Sequence, residues 1–343
     1  MDQVSIIIIV AIAIALIFDV INGFHDAANS IATVVSTRVL SPKVAVIWAA
    51  FFNFVAMFIF APKVADTISK IVIVDAADPA FVYVVLCGLL GAIVWDLLTW
   101  FFGLPTSSSH ALIGGLAGAG ISYGGTDIIR WHKLVETISF IPLAPIIGAA
   151  VGFVFMIAVY WIFRKWSPLK VDKVFRKGQL FSAALYSLGH GGNDAQKTMG
   201  IIVALLVAGG VFSQNTQLSL FDSSTNWIIF ACHLAMAVGT AFGGWKIVKT
   251  MGMKLTHLKP VHGFCAETAG AATTFLATGL GIPISTTHTI AGSIVGVGST
   301  TNLAGIKWKI ALKIVLSWIV TIPFSALVGA LCFRVAQWIS PAF

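Results

Sequence analysis

Two polar motifs each occur twice in this chain, in the same order and about half a chain apart. Within Asn22-Gly23-Phe24-His25-Asp26-Ala27-Ala28-Asn29-Ser30, the stretch Gly23 to Ser30 lines up with Gly191-Gly192-Asn193-Asp194-Ala195-Gln196-Lys197-Thr198 at an offset of 168 residues. Pro105-Thr106-Ser107-Ser108-Ser109-His110 is echoed by Pro283-Ile284-Ser285-Thr286-Thr287-His288 at an offset of 178, and a Gly-rich apolar run follows each copy. The pattern predicts an internal duplication of about half the chain. The fold must then present both motifs twice.

The motifs interrupt apolar sequence. Of 343 residues, 58% are hydrophobic and 10% charged, against roughly 25% charged in a soluble domain. The expected class is an all-α polytopic membrane protein. Stretches long enough to cross, or nearly cross, a ~30 Å hydrocarbon core run at about 4–21, 44–61, 81–102, 140–163, 198–212, 227–245, 262–280 and 308–336. Shorter segments lie at 27–40, 106–122, 180–193 and 284–298. Short, Gly- or Pro-interrupted segments at matching places in two halves point to a transporter binding site. The expected organisation is a first repeat over 1–163 with a re-entrant hairpin near 105–122, a basic cytoplasmic linker over 164–178, and a second repeat over 179–343 with a hairpin near 283–298. Residues 66–79 and 213–226 are candidates for the outside. The sequence does not decide between inverted and parallel halves. The net charge of +8 sits mostly in short loops, which reads as membrane topology and anionic lipid contact rather than nucleic acid. The first apolar run reads as a retained membrane segment rather than a signal peptide. The four cysteines lie scattered in apolar segments without a CxxC pair and read as packing residues.

Asp19, Asn22, Asp26 and Asn29 are spaced 3, 4 and 3 apart, which on a helix aligns their oxygens on one face. Ionisable groups within the membrane are expensive and mark an ion or substrate path. Pro105 and Pro283 each end one helix and can open the next. Thr106, Ser107, Ser108, Ser109 and Ser285, Thr286, Thr287 would then stand at helix N-termini, whose unpaired N–H groups bind anions. Asp26 and Asp194, with Asn22, Asn29 and Asn193 alongside, are candidates to hold a coupling cation. A cation between a carboxylate and an anion makes the loaded state tolerable, which is a physical reason for symport. Glu267 and Asp96 are further ionisable groups in apolar runs, able to carry an ion or to pair with a lysine. Lys197 is placed to neutralise Asp194 or attract the anion. Histidines 25, 110, 190 and 288 fall in or beside the motifs without recognisable metal-ligand spacing, and the metal question stays open.

These doubled motifs resemble the inorganic phosphate transporter (PiT) family over nearly the whole chain, closest to its bacterial low-affinity branch. The resemblance implies an inverted-repeat fold with two helical hairpins, a homodimer, a multi-pass protein of the plasma (inner) membrane, and ion-coupled uptake of inorganic phosphate. It puts Asp26, Asn29, Asn193 and Asp194 at cation-associated positions, and the hydroxyls of 106–109 and 285–287 at phosphate positions. Many sodium-coupled relatives read Gly-Ala-Asn-Asp where this chain has Gly23-Phe24-His25-Asp26, and a Glu where it has Asn53. That favours proton or metal–phosphate coupling over sodium, with no cofactor beyond the coupling cation. A sulfate permease is the alternative within transport. A channel fits less well than alternating access. An intramembrane hydrolase using Ser107 to Ser109 with His110 or His288 is the alternative of another class. It lacks a GxSxG elbow and does not explain both motifs appearing twice.

Overall fold

The computed structural model describes residues 3–68, 78, 80–282 and 284–339. Pro283 and most of the acidic 66–79 stretch lie outside them. The described residues are helical, with no strand.

Helix α1 (Gln3–Ser36) runs unbroken through the first motif, and α7 (Pro168–Ala208) runs unbroken through its counterpart. The hydropathy reading split both, at 21–27 and 193–198. Buried Asp and Asn lower helix propensity without ending a helix, and here each stripe finds polar partners on the other helix. Thr198 Oγ1 donates to Asp19 Oδ1 at 2.6 Å and Thr37 Oγ1 to Gln179 Oε1 at 2.8 Å. Those two pairings make α1 and α7 antiparallel. From Asp19 to Thr37 a helix rises about 27 Å at roughly 1.5 Å per residue, so the polar seam is nearly as long as the ~30 Å hydrocarbon layer. The basic stretch after Arg164 is loop only as far as Ser167. Ser167 accepts from Lys170 N at 3.4 Å and Pro168 occupies the first turn, a start signal that outweighs the charges.

By length and composition, α1, α4 (Ala80–Phe102), α6 (Trp131–Phe163) and α12 (Trp308–Ile339) can cross a membrane. The pair α8 (Asn226–Phe242) and α9 (Trp245–Lys249), which continues to Lys254, qualifies as one span bent by 62°. The bend falls at Gly243, whose φ of 74° suits glycine. Exposed Ile146, Val154 and Trp161 on α6 and Leu316, Leu327 and Leu331 on α12 give these helices the apolar faces that hydrocarbon requires. All four cysteines are free.

Two short helices, α5 (Ser108–Gly124) and α11 (Thr286–Ser299), are buried along nearly their whole lengths. Each is pressed against one long helix through glycines four apart. A Cβ on Gly114 or Gly118 would stand 2.6 Å from Ile322 O and 2.0 Å from Ala326 O of α12. A Cβ on Gly292 or Gly296 would stand 2.1 Å from Pro145 O and 2.1 Å from Ala149 O of α6. Small residues at this spacing let backbones touch, and they fix where the N-termini of α5 and α11 point. Helix α10 (Pro260–Gly279) packs against α11, while α2 (Pro42–Val55) and α3 (Lys63–Ile68) pack against α7.

Candidate functional site

The start of α5 and the start of α11 are capped alike. Ser107 Oγ accepts from His110 N at 3.3 Å, and Ser285 Oγ accepts from His288 N at 3.1 Å. This is the local hydrogen bond that makes serine a helix starter. The two tips meet: the rings of His110 and His288 lie 4.9 Å apart, centroid to centroid. His288 is stacked on Trp318 at 3.9 Å, and Trp318 Nε1 donates to Pro105 O at 2.9 Å. Tyr186 OH donates to Thr286 O at 2.9 Å. The tips are thereby tied to α12 and α7.

The acidic motifs meet the tips, and they cross over. On α1, Asn29 Nδ2 donates to Thr287 Oγ1 at 2.8 Å and approaches Thr286 Oγ1 at 3.4 Å. Thr287 Oγ1 donates to Asp26 Oδ2 at 3.3 Å. On α7, Lys197 Nζ donates to Asp194 Oδ1, to Ser109 Oγ of the other tip, and to Ile284 O at 3.3 Å. Thr286 Oγ1 donates to Asp194 Oδ2 at 3.3 Å. Lys197 takes the first of the two roles read for it, as the partner of Asp194.

His25 bridges Asp26 Oδ1 at 2.7 Å and Thr99 Oγ1 at 3.0 Å; Thr106 Oγ1 donates to Thr99 Oγ1 at 3.0 Å. Asn193 Nδ2 donates to Thr278 Oγ1 at 2.9 Å. Every one of these motif side chains is buried. Asn22 Oδ1, Asn29 Oδ1, Asn193 Oδ1 and Ser108 Oγ are buried without a hydrogen-bond partner. Buried polar atoms are ordinarily paired, so unpaired oxygens beside two carboxylates suit a ligand.

The spacing of the histidines gave no metal signature, yet the fold gathers three groups that could hold an ion. Single ligand atoms of Asp26, His190 and Asp194 lie within 4.8 Å of one another. The signal in the sequence was His190 and Asp194 at i and i+4. Asp26 comes from the other half and could not be read from spacing. Two like charges within 4.8 Å of each other repel by about 3.5 kcal/mol or more at an effective dielectric of ~20, so the pair requires positive charge or a proton between them.

Glu267, on α10, belongs to a separate polar group that meets α1 at Thr33, about two turns beyond Asp26. Its Oε1 accepts from Thr33 Oγ1 at 2.6 Å and Gln179 Nε2 at 2.9 Å, and its Oε2 accepts from Ser182 Oγ. Neither Glu267 nor Asp96 meets a lysine among the described residues. Residues the sequence reading did not single out hold these carboxylates: Thr33, Gln179 and Ser182 for Glu267, and Thr99 for the His25–Asp26 pair. A cavity of about 540 Å³ lined by Tyr160, Arg164, His257 and Lys259 shares no residue with the motif site, so volume alone does not find it.

A family model described as "Phosphate transporter family" matches the chain twice, over residues 22–171 and 164–329. A protein of Rhizobium meliloti (strain 1021) named "Probable low-affinity inorganic phosphate transporter" is 50% identical over 331 residues, covering 96% of each chain. A Bacillus subtilis (strain 168) protein of the same name is 43% identical over 343 residues, covering 99% of this chain and 100% of its own. A solved structure called "The sodium-dependent phosphate transporter" superposes with a TM-score of 0.85 at 24% identity, covering 97% of this chain and 99% of that one. At that identity the likeness speaks to the fold.

Proposed function

The chain belongs to the phosphate transporter family, and from that premise we propose that it takes up inorganic phosphate by cation symport through alternating access. Proton or metal–phosphate coupling is favoured over sodium. The family is one of transporters rather than enzymes, and the hydrolase alternative is set aside.

One observation carries the reading. Hydroxyls at two buried helix N-termini, Thr286, Thr287 and Ser109, touch the carboxylates and polar groups of both acidic motifs. Helix starts and hydroxyls suit a tetrahedral oxyanion, and carboxylates beside them suit its counter-ion. In this reading Thr106, Ser107, Ser108, Ser109, Ser285, Thr286 and Thr287 furnish the phosphate side. Asn22, Asp26, Asn29, Asn193 and Asp194 furnish the cation side, and Glu267, met by Thr33, Gln179 and Ser182, stands apart from it. All of them are buried, so entry from either face requires a movement, which is the case for alternating access.

The halves are read as inverted. Support comes from the twofold match of one family model and from the antiparallel course of α1 and α7, the two helices that carry the matching motifs. A dimer in the inner membrane completes the proposal.

The test is uptake of labelled phosphate and labelled sulfate into proteoliposomes under imposed sodium, proton and divalent-metal gradients. Phosphate uptake that follows a proton or metal gradient is the expected result. Uptake indifferent to every gradient refutes symport, and sulfate taken up as well as phosphate refutes the substrate.

A further inference from the structure

Among the differences between the matching halves, one puts a fixed cation into the site. Lys197 stands where the first motif has Asn29, at the offset of 168; Ser109 stands where the second tip has Thr287, at the offset of 178. The crossing contact is made in both halves, as an amide to a hydroxyl in one (Asn29 to Thr287, 2.8 Å) and as an ammonium to a hydroxyl in the other (Lys197 to Ser109). We propose that the Lys197 ammonium is a tethered coupling cation: it does in the second half what a mobile cation does in the first, so each phosphate travels with one fewer transported cation than two matching motifs would require. The inference rests on the phosphate-symport reading.

Three observations support it. Lys197 is 1% exposed, and its Nζ has three acceptors, Asp194 Oδ1, Ser109 Oγ and Ile284 O. That shell matches the three donors of a charged ammonium. It is also the kind of shell a small cation takes: a carboxylate, a hydroxyl and a backbone carbonyl. In the first half, by contrast, Asp26 has no ammonium beside it. Its partners are His25 and the Thr287 hydroxyl. Asn29 Oδ1 there is buried without a hydrogen-bond partner, leaving a carbonyl oxygen next to a carboxylate for a hard cation. The electrostatics follow. Asp26, Asp194 and a phosphate dianion alone bring four negative charges to one buried place, with the buried carboxylates of Asp19 and Asp96 close by, and Lys197 neutralises one without leaving the protein. The histidines that face the group, His25 and His190 beside the carboxylates and His110 and His288 at the tips, add positive charge only when protonated.

The experiment is the charge moved per phosphate, read as a reversal potential in proteoliposomes with sodium, proton and magnesium gradients in turn, for the wild type and Lys197→Asn. The variant restores the amide of the first motif. The expected result is one additional elementary charge per phosphate in the variant and a steeper dependence of uptake on the coupling cation. Unchanged charge per phosphate with uptake retained overturns the inference and leaves the transport reading intact. A folded variant that moves no phosphate at any cation concentration also overturns it, since a mobile cation then fails to replace the lysine. If Lys197→Asn does not fold, Lys197→Gln, closer in length to lysine, is put through the same measurement. No phosphate movement by the wild type refutes the transport reading, and the inference with it.

Discussion

The Asp26–Asp194 pair and the Glu267 carboxylate meet α1 about two helical turns apart, at Asp26 and at Thr33, and they are treated oppositely. At Glu267 the chain provides three donors to two oxygens, from Thr33, Gln179 and Ser182. At Asp26 and Asp194 it provides hydroxyls, histidines and one lysine, and leaves Asn22, Asn29 and Asn193 with unpaired oxygens. A carboxylate whose oxygens are met by neutral donors is held in place by the protein itself. Carboxylates within 4.8 Å of each other, flanked by unpaired acceptors, are completed by something that comes and goes. The contrast separates a fixed polar contact from a binding site, though both are equally buried.

The contrast is breakable by substitution. Asp26→Asn and Asp194→Asn are each expected to lower gradient-driven phosphate uptake by about a hundredfold or more, the equivalent of about 2.7 kcal/mol, with the variants still eluting as folded protein. Full activity in both removes the carboxylates from the mechanism. Glu267→Ala is expected to act on stability first. It strands two or more buried donors at about 1–3 kcal/mol each, and a clear fall in the detergent melting temperature checks it. Glu267→Gln keeps shape and most of the hydrogen bonds, so its loss of driven uptake should stay below about tenfold, roughly 1.4 kcal/mol. A loss as deep as that of Asp26→Asn erases the distinction between the two groups. The smallest effect is expected at the tips. Ser107→Ala and Thr286→Ala should raise the half-saturating phosphate concentration severalfold in initial-rate uptake, and no change in either moves the anion elsewhere.

Much of the site was legible because its residues come in two copies. The repeats placed Asp26 with Asp194 and the 106–109 hydroxyls with 285–287, and the structure brings members of all four stretches together. What the sequence hid were partnerships between halves. A hydropathy window sees one segment at a time, so it cut α1 and α7 where their polar stripes lie and could not see that each stripe supplies the other. The His190–Asp194 pair was visible as an i, i+4 spacing, but Asp26 joins it only through packing. The basic stretch before α7 looked like a loop because charge is read more easily than a Ser-Pro helix start.

The polar seam between α1 and α7 bears on how the chain enters the bilayer in the first place. Helix α7 is absent from the helices apolar enough to cross by themselves, and its motif would be costly in lipid without a mate. Its polar residues are met by α1 and by α10, so α7 is expected to settle in the bilayer together with such mates rather than alone.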